Sequence, residues 1–367
     1  MIRSFEINNF KTFENLALDG LGAFTLMGGR NNVGKTCWLE AAFLFCDQLN
    51  PELLLKPMSW RGLQVISGPD SVFASSFFRY RTTRPIRLTA IDETGSGGLE
   101  IILDSANNTR RIVFSENNPA PKNPPPSAPP PPGPAGVAFE PVLHLRYLHD
   151  NKLTNTADIV SRNGQLEIRF NTPPPRLNPT FYLQARTLGN PKIDADRYGE
   201  LEILQQTDMV LDFVRVVDPR IKSLSSIHVG GAGLIHADIG WGRKIPINFL
   251  GEGAGRLLSI ILAMAFARNG IVLVDELDNG LHDSVLAAVT AKLMAAADHF
   301  NCQLIATTHS EALLRGATQS LQDQTRPDFV YFHFAPGDNG PVARRYSFRD
   351  LPGLLAKGQG AGPPPTG

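Results

Sequence analysis

The chain has no surplus of charge of either sign: 35 lysines and arginines balance 35 aspartates and glutamates over 367 residues. No global field therefore draws it to nucleic acid or to a membrane surface, although a local basic patch is compatible with that balance. Cysteine is nearly absent. Cys37, Cys46 and Cys302 are scattered among apolar neighbours without metal-ligand spacing, which argues against a disulfide framework or a zinc site and fits a reducing interior. The longest apolar run, residues 257–267, falls well short of the ~20 residues a membrane-spanning helix needs. Residues 1–7 alternate like a strand and lack the apolar centre of a signal peptide. No internal repeat is visible. Together these absences predict a soluble cytoplasmic protein, long enough for one large domain or two of ordinary size.

What is present is concentrated near the start. Gly29-Arg30-Asn31-Asn32-Val33-Gly34-Lys35-Thr36 spells a phosphate-binding loop, G-x-x-x-x-G-K-T. An apolar run, residues 23–27, precedes it, and a helical pattern opening at Cys37 follows. That strand–loop–helix setting is the one the motif requires, and it points to a nucleotide triphosphatase. Glycines let consecutive backbone N–H groups close around phosphate, and the helix N-terminus adds a positive dipole. Lys35 is expected to reach the β- and γ-phosphates, with the Thr36 hydroxyl as a Mg²⁺ ligand.

Either side of residues 8–12, Phe5, Ile7, Leu16 and Leu18 alternate with polar residues, which predicts a β-ribbon leading into the strand before the loop. Residues 86–91 and 99–103 read as a meander of antiparallel strands. Residues 119–136 are proline-rich, with little to bury, and read as an extended spacer. The tail 358–367 reads as disordered. An amphipathic helical pattern runs from Arg197 to Val217 and is stopped by Asp218-Pro219. Strand signals return at residues 227–229 and 234–239. The last third alternates apolar strands (271–274 and 303–307) with helices (about 253–268 and 284–299), which predicts a parallel sheet covered on both faces.

The strand 271–274 runs straight into two carboxylates, Asp275-Glu276. A strand buried on both faces ends this way when its C-terminal edge opens on a ligand. Asp275 fits a carboxylate holding Mg²⁺, and Glu276 a base that orients and deprotonates the attacking water, worth about 10²–10⁴ in rate. The next strand ends Thr307-Thr308-His309-Ser310, where His309 is placed to contact the γ-phosphate. Gly251, Gly253 and Arg256 belong to a glycine-rich stretch ahead of a long apolar helix, a second candidate anion site; an acidic first turn at Glu252 is the plainer reading.

In this order the pieces resemble one family, the ABC-type ATPase heads of the OLD and RecF/SMC-like group, most nearly its stand-alone OLD-like members. Gly29–Thr36 is similar to Walker A, 271–276 to Walker B, 278–282 to the D-loop, His309 to the switch histidine, and residues 2–13 to the family's first hairpin. The resemblance implies an α/β P-loop ATPase head with a parallel core sheet, an N-terminal antiparallel β subdomain and an inserted region. It divides the chain into one discontinuous domain, 1–357, with core segments 1–50 and 180–357 and a β-rich insert at 51–179. It implies ATP and Mg²⁺ as ligands. Nucleotide contacts would come from Gly29, Arg30, Asn31, Asn32, Val33, Gly34, Lys35, Thr36 and Cys37, metal contacts from Thr36 and Asp275, and catalysis from Lys35, Glu276 and His309.

The resemblance also implies a homodimer that sandwiches ATP, each copy offering Gly251, Gly253 and Arg256 to the other's nucleotide. Here the chain departs from the usual L-S-G-G-Q: Gly251 stands in the serine position and Glu252 replaces the first glycine. No clear Q-loop glutamine is visible, Gln64 being the nominal candidate. Arg186 is open between a phosphate contact in the dimer and a surface salt bridge. No D-x-D strand of a Toprim nuclease follows His309. The reading expected is therefore an ATP-driven dimerisation switch in nucleic-acid processing or phage defence, working with a separate nuclease or effector and without a membrane. A RecF-like DNA-binding repair module is the alternative.

Overall fold

Alternation in the N-terminal segment builds a hairpin. In β1 (Ile2–Phe10) Ile2, Phe5 and Ile7 turn inward, and β2 (Phe13–Asp19) pairs antiparallel with it, Phe5 opposite Leu18 and Ile7 opposite Leu16. The chain then enters β3 (Phe24–Gly29), whose residues are all buried, and α1 (Lys35–Cys46). In this computed structural model the described residues are 1–48, 50, 54, 73–104, 142–162, 165–172, 178–185, 190–229, 232–321 and 328–356. The proline-rich stretch, the tail, Gln64 and Arg186 lie outside them.

The expected meander is present, and it does not stand apart from the hairpin. β4 (Ile86–Asp92) pairs with β1, and β5 (Gly95–Asp104), β6 (Val142–His149), β7 (Lys152–Arg162) and β8 (Gln165–Phe170) follow as antiparallel neighbours. The result is one seven-stranded sheet, ordered β2-β1-β4-β5-β6-β7-β8.

β9 (Thr180–Leu183) crosses to a second sheet. Here the single helix expected from Arg197 to Val217 is two, α2 (Pro191–Ile203) and α3 (Asp208–Val214). The break is a Schellman stop. Gln205 takes a left-handed φ of 56°, its N–H bonds Glu202 O at 3.1 Å, and the Gln206 N–H reaches back to Leu201 O at 2.9 Å. Apolar periodicity passes over a non-glycine residue in that conformation. The first helix also starts earlier than Arg197, where Pro191 at the first helical position and the Asn190 cap set it.

Next come β10 (Ser223–Val229), β11 (Ala232–Asp238) and β12 (Ile245–Pro246), a small antiparallel sheet, and then α4 (Glu252–Phe266). β13 (Ile271–Val274), α5 (Asp283–Phe300), β14 (Gln303–Thr307), α6 (Glu311–Leu321), β15 (Phe329–Ala335) and β16 (Val342–Ser347) follow along the chain. The second sheet is ordered β16-β15-β3-β14-β13-β9, parallel except for the terminal hairpin β15–β16.

Its central strands β3, β13 and β14 are buried along their whole length because both faces are covered there, whereas the edge strand β16 is largely exposed. Val272, Val274 and Leu26 point into one core with α4 and α5, while Leu273, Ile305 and Met27 point into another with α1 and the antiparallel sheet. In that second core Phe5 meets Trp38 edge-on at 5.3 Å and Phe45 at 5.6 Å. Burying such a ring fully contributes about 1.5–3 kcal/mol. α4 is buried from Gly253 to Ala265, which explains its near-uniform apolar sequence.

Candidate nucleotide site

Three parallel strands adjacent in the sheet, β3, β14 and β13, bring their C-terminal ends to the same edge. That edge is where open α/β sheets bind ligands. The phosphate loop leaves β3 there, and two of its glycines are sterically required. Gly29 has φ 126°, and a Cβ on it would sit 2.2 Å from the Phe334 oxygen. Gly34 has φ 88°, and its Cβ would meet Phe13 at 2.8 Å and Thr12 Oγ1 at 2.9 Å.

Lys35 opens α1 and is buried. Its Nζ donates to the carbonyls of Gly29 at 3.0 Å and Arg30 at 2.8 Å, and lies 3.4 Å from His309 Nδ1. Burial pulls its pKa from 10.5 down to about 8, against the opposing pull of Asp275, Glu276 and Asp278.

The acidic side is organised around one buried hydroxyl. Thr307 Oγ1 donates to Asp275 Oδ1 at 2.6 Å and accepts the Glu276 N–H at 2.7 Å. Across from it, Thr36 Oγ1 donates to the two Asp275 carboxylate oxygens at 3.1 and 3.0 Å. Glu276 adopts φ 51°, an unusual left-handed conformation for a non-glycine residue. Its Oε2 accepts from Asn279 Nδ2 at 3.1 Å, and its Oε1 lies 3.9 Å from His309 Nε2. His309 thus stands between Lys35 and Glu276, one ring nitrogen toward each.

A cleft of about 540 Å³ collects these groups. The loop from Asn31 to Cys37 lines it with Asp275, Glu276 and His309, and Thr12, Glu40, Tyr182 and Gln184 complete much of the rest. Neutral and anionic oxygens at Thr36 and Asp275 form the hard donor pair suited to Mg²⁺, which takes only one or two protein carboxylates and keeps its remaining positions for water and phosphate.

Gly251, Gly253 and Arg256 are not among the lining residues. Arg256 is buried, and its guanidinium donates to backbone carbonyls of Gln184 (3.0 Å), Glu276 (3.0 Å) and Asp275. It holds three chain segments together from behind the cleft. Burial draws its pKa below the ordinary arginine value, with Asp275, Glu276 and Asp278 opposing. Gly253 packs so closely on Gly280 that a Cβ there would sit 2.4 Å from the Gly280 oxygen.

Three contributors had not been singled out from the residues alone. In the sequence Thr307 is marked only as a strand end. Gln184 follows β9 as Asp275 follows β13, and the Asp275 N–H bonds Leu183 O at 2.8 Å, which sets the two side by side. A polar residue closing or directly following an apolar strand is the available signal for both. Glu40, ion-paired with Lys11 at 2.6 Å, carries no such mark.

Residues 24–315, which contain the loop, Asp275, Glu276 and His309, match the family described as "AAA domain, putative AbiEii toxin, Type IV TA system". The chain belongs to this family of AAA-domain ATPases. A curated relative, an "ATP/GTP phosphatase" of Helicobacter pylori (strain ATCC 700392 / 26695), is 24% identical over 96% of this chain and 97% of its own length. Solved structures similar to this AAA-domain chain include an Smc head bound to the C-terminal winged-helix domain of ScpA (12% identity, 95% of this chain and 99% of that one, TM-score 0.48). The SMC head domain from Thermotoga maritima is another, at 12% identity, 94% and 98% coverage and a TM-score of 0.41. In the AAA-domain chain itself, the cleft joins a phosphate-loop lysine, a threonine–aspartate pair and a glutamate–histidine pair within one sheet edge.

Proposed function

We propose that the chain hydrolyses ATP with Mg²⁺, that bound ATP closes a homodimer, and that hydrolysis opens it. The observation that carries this reading is the contact of Thr36 with Asp275, residues 239 apart in sequence, beside Glu276 and His309. Two further facts support it: the family assignment and the activity named for the Helicobacter relative.

In this reading Lys35 exchanges the Gly29 and Arg30 carbonyls for β- and γ-phosphate oxygens. Amides of the loop from Asn31 to Cys37 hold the remaining phosphate oxygens. Thr36 and Asp275 hold Mg²⁺, which when bound neutralises charge on the phosphate oxygens. Glu276, steadied by Asn279, orients water and accepts its proton. His309 donates to the terminal phosphate from its place beside Lys35. Gly251 and Gly253 present backbone to the partner's nucleotide, while Arg256 supports its own copy's cleft through the Gln184, Asp275 and Glu276 carbonyls it holds. ATP contacts both copies in ways that ADP does not, which is the differential affinity a switch requires. The toxin association in the family description favours a defence role, exercised through a separate nuclease or effector, over repair.

The test is a pair of variants. Glu276→Gln should bind ATP normally, turn over about 10²–10⁴-fold more slowly, and elute as a dimer with ATP on size exclusion. Lys35→Ala should lose ATP binding. Undiminished hydrolysis by Glu276→Gln would remove Glu276 as the base, and unchanged affinity in Lys35→Ala would remove the site.

A further inference from the structure

Two exposed charges of opposite sign, Arg30 in the phosphate loop and Glu252 at the start of α4, each lack a partner among the described residues. Arg30 is the second residue of the phosphate loop and is exposed. Its carbonyl is tied to Lys35 at 2.8 Å, so the loop is held, while the guanidinium makes no ion pair or side-chain hydrogen bond among the described residues. Glu252 opens α4, is also exposed, and its side chain likewise has no ion pair or hydrogen bond among the described residues. Its backbone is fixed from below. A Cβ on Gly280 would lie 3.1 Å from Glu252 Cβ, and Gly253 packs on the Gly280 oxygen. Gly280 directly follows Asn279, which holds Glu276. Glu252 is therefore presented rigidly beside the loop that leaves the cleft.

A carboxylate brought to a triphosphate is repelled unless a cation meets it. The phosphate loop carries two cations, Lys35 and Arg30. Lys35 is buried and assigned to the phosphates, and Arg30 faces outward. We propose that in the ATP-closed homodimer Glu252 of each copy pairs with the partner's Arg30. Two-fold symmetry makes two such pairs, one beside each nucleotide. The departure at Glu252 is then a device for self-recognition: the carboxylate that would oppose closure becomes the group that requires a second identical copy. The proposal rests on the dimerisation reading above and adds the residue contact that stabilises it.

The experiment measures the monomer–dimer Kd by sedimentation with ATP in the Glu276→Gln background. Arg30→Glu and Glu252→Arg should each weaken the dimer about tenfold or more, and the exchanged double variant should recover most of that loss, as charge pairs at interfaces do. A parallel cycle with Arg30→Ala and Glu252→Ala covers the case in which an exchanged variant does not fold, and non-additivity there supports the pair. An ATP dimer indifferent to these substitutions, or strictly additive losses in both cycles, overturns the pair and leaves the switch standing. A Glu276→Gln parent that stays monomeric with ATP overturns the switch itself and the pair with it.

Discussion

Raising the pH should weaken ATP binding through Lys35. Burial holds this ammonium near pKa 8 rather than 10.5, and its work on the phosphates needs the charged form. With that pKa, the protonated fraction falls from about nine tenths at about pH 7 to about one tenth at about pH 9. Affinity should therefore drop roughly tenfold, ~1.4 kcal/mol, across the interval; a lysine of ordinary pKa would stay charged throughout. Phosphate raises the lysine pKa again on binding, so the complex should take up close to one proton at the alkaline end. Calorimetry in two buffers of different ionisation enthalpy reads the proton, and a fluorescent ATP analogue reads the Kd. Lys35→Arg stays charged and should bind with a pH-independent affinity, whatever its strength. The folding signature has the opposite sign. Because the folded pKa lies below the unfolded one, the unfolded chain still holds a proton that folded Lys35 has released, and this group adds stability as pH rises from about 8 toward 10.5. ATP affinity that stays flat to about pH 9, or binding without proton uptake, refutes the reasoning.

Two substitutions probe the supports behind the cleft. Arg256→Met removes the donors to three backbone carbonyls, one of them buried, and should cost about 3 kcal/mol of stability in urea unfolding; turnover should fall more than about tenfold while ATP affinity changes little, as expected of a group acting through position. Unchanged turnover would show that the Gln184, Asp275 and Glu276 backbones keep their places without it. Thr307→Val keeps the shape, orphans the Glu276 N–H and strips a short hydrogen bond from Asp275, at a cost of about 2–4 kcal/mol. The Mg²⁺ concentration for half-maximal turnover should rise as well, and a variant matching wild type in both melting temperature and Mg²⁺ dependence would dismiss Thr307 as an organiser.

Much of the site was legible because its chemistry sits where strands end. Lys35, Asp275 and His309 each follow an apolar run, so a one-dimensional pattern carries a three-dimensional fact: parallel strands deliver their last residues to one edge. Gln184 obeys the same rule, following a four-residue strand as Asp275 does, but a neutral amide carries no charge to mark it. Arg256 is a different case. Its loop is recognisable by composition, yet its guanidinium turns away from the cleft toward carbonyls of two other strand ends, a choice made by packing that no local pattern encodes. The split between α2 and α3 was hidden for a similar reason, since Gln205 carries no mark of the left-handed conformation that its neighbours impose. The seven-stranded sheet was half visible: its pairs could be read from alternation, but its continuity with the N-terminal hairpin depends on β4 choosing β1 as partner.

The placement of β3 has a consequence for how the molecule is made. Its two neighbours, β14 and β15, come from the last third of the chain. Gln303, at the head of β14, ties to Ile2 across 301 residues and to Gly22 across 281. As the polypeptide emerges from the ribosome, the early strand that carries the phosphate loop has no sheet to join until almost everything else has been translated. Such non-local pairing is slow and leaves apolar strand surface open in the meantime. The nascent chain should therefore lean on holdase chaperones through most of its synthesis, and premature termination anywhere before β14 should yield an insoluble fragment and no smaller working enzyme.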